Sequence, residues 1–427
     1  MPDKQTLPAA TPVRTPWFKK LGPGLITGAA DDDPSGIATY SQAGAQFGFN
    51  MLWTVLLTYP LMAGIQIVSA RIGRVSGHGL ASNIRKHYPA WLLYAIVLLL
   101  LLANTINIAA DASAMGDAAA LLAGGSAKLY TLLFGVCSLL LQLFVPYTRY
   151  VRVLKWLTLS LLTYAAAVFT LHIPWAEVLK ATVWPQLSLK PDYITTVVAV
   201  FGTTISPYLF FWQASQEVEE QQSIPGARPL VEAPSQARSN FNRIKLDTFI
   251  GMGFSNLIAF FIILTAAIAL HSKGITDIQS SAQAASALRP IAGDFAFAVF
   301  SMGIIGTGLL AIPVLAGSAA YAMAGAFKWT TGLELPPSRA KGFYSIISFS
   351  TLMGLAIGFL PIDPIKALYW SAVVNGVIAV PIMVVMMLMV TNEKIMGQFV
   401  AKARLRRVGW AATGVMAMAV AAMFLTM

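Results

Sequence analysis

A chain of 427 residues that is 57% hydrophobic and only 11% charged is not an ordinary soluble domain, where about 25% of residues carry charge. Its formal net charge of +11 would suit nucleic acid, but the basic residues fall mostly between apolar runs, so the bilayer and its positive-inside rule account for them and no nucleic-acid partner is expected. The lone cysteine, Cys137, excludes an intramolecular disulfide, and continuous rather than alternating apolar runs exclude a transmembrane β-barrel.

Residues 1–20 have no apolar core before Trp17, so they read as a basic cytoplasmic tail and not as a cleaved signal peptide. Apolar runs long enough to cross a bilayer, about 20 residues each, then recur to the end of the chain. They predict an all-α polytopic membrane protein with about eleven spans. These fall near 21–48, 51–75, 90–119, 127–147, 150–174, 191–218, 244–270, 291–327, 342–360, 365–390 and 406–426.

The first span contains GAADDDPSGIATY, residues 28–40, in which Asp31, Asp32 and Asp33 precede Pro34. Proline removes a backbone donor and clashes with the carbonyl four residues earlier. Freed backbone groups at membrane depth survive only where they line a polar cavity or find a partner. A carboxylate there, Asp33, reads as a cation ligand in preference to a mere helix cap. For Asp31 and Asp32, contact with the ion's path stays open; one is expected to line a vestibule and the other to be a solvated neighbour.

Lys and Arg cluster in the loops after the second, fourth, eighth and tenth spans and in the N-terminal tail. A cytoplasmic N-terminus and an external C-terminus place them all on one side. The sixth span breaks like the first, at GTTISPY, residues 202–208, around Pro207. Two interrupted spans at matching places in two halves mark an inverted-repeat transporter with its site at the bilayer midplane. After it, residues 217–245 form the longest polar break and are expected to be a mobile cytoplasmic loop. Asp363-Pro364 reads as the N-cap and first turn of the tenth span. His78, His87, His172 and His271 sit at span ends without ligand spacing, so a histidine metal site is not expected. No HExxH, GxSxG or other acid/base constellation is present, and no enzyme activity and no resident cofactor are expected.

GPGLITGAADDDPSGIATYSQAGAQFGFNMLW, residues 22–53, resembles the first-helix region of the Nramp divalent-metal transporters, with their Gly-Pro-Gly, Asp-Pro-Gly-Asn and Gln-Ala-Gly-Ala-Gln-Phe-Gly segments. The resemblance implies the LeuT-type inverted-repeat fold: broken helices one and six, a first five-helix repeat over 21–175, a second over 176–390, and a loop and eleventh helix over 391–427. It also implies an ion site. The family's Asp falls on Asp33, its Asn on Gly36, its Met on Ser206, its His on Tyr208, and its helix-six carbonyl on Thr203. The anionic ligand is kept and the thioether and amide are lost. Soft sulfur favours transition metals, whereas oxygen-only sites suit Mg²⁺, Ca²⁺ and Mn²⁺, and Mg²⁺ usually keeps several waters. This pattern resembles the Nramp-related magnesium transporters.

The family's acidic relay in helix three is kept at Asp111, but its second acid falls on Ala114, and the helix-six arginine falls near Glu220. The relay is incomplete. The expectation is therefore a monomeric importer of largely hydrated Mg²⁺, also passing Mn²⁺, in a bacterial inner membrane and without proton coupling. A proton-coupled Mn²⁺/Fe²⁺ symporter is the alternative. Asn375, midway along span ten, is a further candidate near the site. It and Asn104 and Asn107 also fit plain interhelical hydrogen bonding.

Overall fold

The protein is described here from a computed structural model, which describes residues 23–146, 149, 161–289 and 293–427. The predicted tail, 1–20, and the first half of the predicted fifth span lie outside the described residues. In chain order the main helices are α1 (Pro23–Asp31), α2 (Pro34–Phe47), α3 (Leu52–Ser76), α4 (Leu80–His87), α5 (Ala90–Ala123), α6 (Ala127–Phe144), α7 (Leu162–Thr170), α8 (Trp175–Val183), α9 (Pro191–Thr204), α10 (Pro207–Ser223), α11 (Ala237–Ala269), α12 (Ala296–Phe327), α13 (Lys341–Gly358), α14 (Pro364–Val390) and α15 (Ala403–Thr426). No strand occurs among the described residues. Eight helical stretches among them are long and apolar enough to cross a membrane.

Both predicted breaks are present, and each is two residues long. The first span is α1 and α2 with Asp32 and Asp33 between them, and the sixth is α9 and α10 with Ile205 and Ser206 between them. Proline alone does not cause this, because Pro60, Pro313 and Pro381 sit inside α3, α12 and α14 without interrupting them. At the breaks the proline follows a residue suited to capping. Asp33 is extended (φ −74, ψ 171) and its side chain accepts from the Gly36 N–H, with Pro34 at the start of α2. Ser206 (φ −80, ψ 132) likewise precedes Pro207 in extended backbone, but its side chain caps no N–H of α10. Proline at the first helical position sacrifices only an N–H that has no partner anyway.

The half-helices are held by backbone-to-backbone packing, as small residues permit in membranes. A Cβ on Gly28 would lie 2.3 Å from the Gly251 carbonyl carbon, and one on Gly44 2.3 Å from the Ile263 oxygen, so α1 and α2 both ride on α11. A Cβ on Gly202 would lie 2.0 Å from the Ala372 oxygen, which seats α9 against α14. Asn104 on α5 donates to the Leu315 carbonyl (2.8 Å) and to Ser318 Oγ (2.7 Å) on α12, so that asparagine is an interhelical bond. Large exposed side chains such as Trp91, Leu98, Leu129 and Phe144 stand on the outside, where lipid would meet them.

The expectation of a mobile loop at 217–245 is overturned. Helix α10 runs to Ser223 and α11 begins at Ala237. The 224–236 link is tied down by Leu230 N–H to the Arg74 carbonyl and Val231 N–H to the Val75 carbonyl, both 3.3 Å. The charges that looked solvated pair with each other. Arg243 bonds Glu217 (2.5 Å) and Glu220 (2.8 Å), and Arg74 bonds Glu220 (3.1 Å). Asp247 lies 3.5 Å from Arg243 and also accepts from the Gly24 N–H (2.9 Å) in the first turn of α1. This network, with the basic loops around it, marks one end of the bundle. The C-terminal Met427 lies at the other, beside Gln46 and Asp277.

Candidate functional site

The two breaks meet around Asp33, which is 2% exposed. Its Oδ1 accepts from Ser35 Oγ (2.6 Å) and from the Gly36 N–H (2.8 Å). Its Oδ2 lies 3.1 Å from the Tyr208 hydroxyl on α10 and 3.4 Å from Asn107 Nδ2 on α5. Four donors thus surround one anion, and no Lys or Arg is among them. Tyr208 also reaches the Ala30 carbonyl (3.1 Å), so its single proton is shared between the end of α1 and Asp33. Tyr208 therefore bonds Asp33 and does more than pack.

Gly36 contributes its N–H to Asp33. A Cβ there would meet Tyr40 Cε2 at 3.3 Å and Thr203 Oγ1 at 3.4 Å, so the glycine lets α2 pack closely on the end of α9. Ser35 Oγ and Thr203 Oγ1 bridge the two helices at 3.3 Å. Ser206 Oγ lies 2.8 Å from both the Gly202 and the Thr203 carbonyls. Its hydroxyl satisfies the oxygens freed by the break, and the Thr203 carbonyl expected to face an ion is engaged by it.

Asp31 and Asp32 face elsewhere. Ser255 on α11 reaches Asp31 Oδ2 at 2.5 Å and Asp32 Oδ1 at 3.0 Å, and both acids are buried. The expectation that one is a solvated neighbour and the other lines a vestibule is corrected: adjacent residues at the end of α1 turn both side chains onto α11. Asp111 on α5 is fully buried with neither oxygen bonded. Asn107, one turn earlier, bonds Asp33 and leaves its own Oδ1 unbonded. Asn375 on α14 is 1% exposed with neither amide atom bonded, so the interhelical hydrogen bond that was its plainer reading is not formed. Its neighbour Gly376 packs on Val198 of α9. Ala114 is buried, and Glu220, where a helix-six arginine was sought, belongs to the ion pairs at the basic end. Among the described residues no group of three or more His, Cys, Asp or Glu side chains is placed to hold a metal ion.

Sequence reasoning missed Ser35, Ser255 and the Arg74–Glu217–Glu220–Arg243–Asp247 network. The last had a signal: Glu217 and Glu220, and Arg243 and Asp247, recur at three- and four-residue spacing, the period of a helix face. Hydrogen bonds tie the surrounding segments together on both sides of the breaks. On the basic side the Thr27 hydroxyl donates to Gln213, which donates to Glu217 at 3.4 Å. On the opposite side Tyr40 bonds Thr204 (3.0 Å) and Thr196 bonds Tyr369 (2.9 Å). There Gln42 holds the Ile278 N–H (2.9 Å) and the Thr276 carbonyl (3.3 Å). Beyond this layer opens a cavity of about 560 Å³ lined by Gln46, Asp192, Asp277 and Lys366 among others.

The sequence profile of the family described as "Natural resistance-associated macrophage protein-like" (Nramp) matches residues 24–426. A "Divalent metal cation transporter MntH" of Klebsiella pneumoniae subsp. pneumoniae is 25% identical over 402 residues, which is 92% of this chain and 90% of that protein. The crystal structure of a manganese transporter of Eremococcus coleocola, in complex with an aromatic bis-isothiourea substituted compound, superposes with a TM-score of 0.75. It is 16% identical and covers 97% of this chain and 89% of its own. Mhp1, a nucleobase-cation-symport-1 family transporter in a closed conformation, gives 0.56 at 13% identity, covering 95% and 92%. The shared architecture is the LeuT-type inverted-repeat fold with the first and sixth helices broken.

Proposed function

The chain belongs to the Nramp family, and from that premise we propose that it imports divalent cations by alternating access, with largely hydrated Mg²⁺ as the main substrate and Mn²⁺ as a second. One observation carries the choice of ion. Every side chain within hydrogen-bonding reach of Asp33 presents oxygen or nitrogen, and none presents sulfur. Hard oxygen groups suit Mg²⁺ and Mn²⁺, and a carboxylate-centred oxygen site suits an ion that usually keeps several waters. Asp33, Gly36, Thr203 and Ser206 would face the ion. Ser206 must turn away for the Thr203 carbonyl to contribute.

Proton coupling is left out of this reading because Ala114 and Glu220 stand where a relay would need an acid and an arginine. A membrane potential of 100 mV favours influx of a divalent cation by about 4.6 kcal/mol, twice the value for one elementary charge, so coupling is not required. The basic loops make the end bearing Arg74 and Arg243 the cytoplasmic one. The N-terminus is then inside and the C-terminus outside, in a monomer of a bacterial inner membrane, with no resident cofactor.

The relatives named for manganese and divalent metal transport favour a second reading, a proton-coupled Mn²⁺/Fe²⁺ symporter. Purified protein in liposomes separates the two. The expected result is Mg²⁺ and Mn²⁺ uptake driven by an inside-negative potential with no internal acidification. Acidification that scales with metal flux and is absent from protein-free liposomes would establish the symporter instead.

A further inference from the structure

A transporter that needs no proton relay has no evident use for a carboxylate buried in α5. Asp111 is nevertheless 0% exposed, and neither of its oxygens has a hydrogen-bond partner. Buried polar groups are normally bonded, and buried charges are normally paired or bound to a metal. Asn107 stands one turn away on the same face of α5. Its Nδ2 is spent on Asp33, and its Oδ1, also fully buried, is unbonded. Tyr208 is bonded to the same Asp33 oxygen as Asn107. Asn107 thus links the two acids: its amide bonds Asp33 at 3.4 Å, and it stands one turn from Asp111, whose oxygens, like Asn107 Oδ1, are buried and unbonded.

On the reading that a divalent cation passes Asp33, we propose that Asp111 is the second carboxylate of the ion site and that the cation rests between Asp33 and Asp111, with Asn107 Oδ1 contributing to the same oxygen shell. Two unit anions balance a divalent charge, and one or two carboxylates with retained waters is the usual protein complement of Mg²⁺. The contacts to α5 run through the ion's own water, which is how a site lacking the amide and thioether ligands still selects for charge and size.

The test uses the full-length protein with Mn²⁺ as the probe, bound Mn²⁺ being counted from loss of the free-ion paramagnetic resonance signal. Asp111→Asn keeps the shape and removes the charge. It is expected to weaken Mn²⁺ binding by about tenfold or more, because a unit charge near a divalent ion in a buried site is strongly felt. Asp111→Glu should recover part of the loss, and Asn107→Ala should show a smaller loss. An unchanged dissociation constant in a monodisperse Asp111→Asn protein overturns the proposal. So does a variant that binds Mn²⁺ normally but loses metal-dependent acidification seen in the parent, since Asp111 would then be a proton carrier. If Asp111→Asn fails to fold, the Asp111→Glu and Asn107→Ala proteins decide, with unchanged affinity in both again overturning it. A parent protein that moves Mn²⁺ but not Mg²⁺ would sink the magnesium reading while leaving this comparison intact.

Discussion

Divalent uptake into liposomes is expected to fall by roughly a hundredfold in Asp33→Asn and in Asp33→Ala, at or beyond the top of the range seen when groups around a metal are removed. The two substitutions separate two jobs of one side chain. Asp33 caps α2 through the Gly36 N–H (2.8 Å) and also presents the anion at the break. Asparagine keeps a capping oxygen and loses only the charge, whereas alanine loses both, with a cap worth about 1 kcal/mol. Equal loss of transport in two well-folded proteins means that the charge matters and the cap does not. Substantial Mg²⁺ flux in Asp33→Asn would remove Asp33 from the ion's path.

The second large effect is on selectivity. The pair Gly36→Asn with Ser206→Met adds an amide and a thioether and takes away space. A Cβ at position 36 sits 3.3 Å from Tyr40 and 3.4 Å from Thr203 Oγ1, so those neighbours must yield by a few tenths of an ångström. Removing the Ser206 hydroxyl also releases the Gly202 and Thr203 carbonyls that it now bonds. Thioether sulfur favours Cd²⁺ and Mn²⁺ over Mg²⁺, and lost volume forces dehydration, which Mg²⁺ resists most. The ratio of Cd²⁺ to Mg²⁺ affinity should rise by about a hundredfold, or roughly 2.7 kcal/mol. The same ratio in the folded double variant as in the parent would mean that these positions do not set the ion's coordination.

The fold was largely legible because its signals are local. Apolar length gives the spans, and a proline preceded by Asp or Ser gives the breaks; the structure separates these from Pro60, Pro313 and Pro381, which lack such a preceding residue. The segment 217–245 misled because its mixed charges read as solvated, and only tertiary packing brings Arg243 against Glu217 and Glu220. The site was half legible. Asp33 stood out as a carboxylate in hydrocarbon, but its partners Tyr208 and Asn107 are 175 and 74 residues away. The direction in which Asp31 and Asp32 turn depends on Ser255 on another helix. Periodicity carries no information about such meetings.

Three consecutive acids in the first span also bear on how the protein is made. Each costs about 2.5–3.5 kcal/mol near the centre of an inserting helix, or roughly 8–10 kcal/mol together. Lipid cannot repay that, and the groups that do are synthesised later: Ser255 follows Asp31 by 224 residues. At about 5–20 residues per second the ribosome needs roughly 10–45 s to reach it. During that interval the first span has no stable place in the bilayer. It is expected to wait at the membrane surface or in the insertion machinery and to enter only when α11 offers it a seat. Ribosome-bound chains that stop before Ala237 should therefore leave a cysteine placed at Thr27 open to a water-soluble thiol reagent, while the finished protein shields it. Protection already complete in the short chains would show that the acids insert unaided.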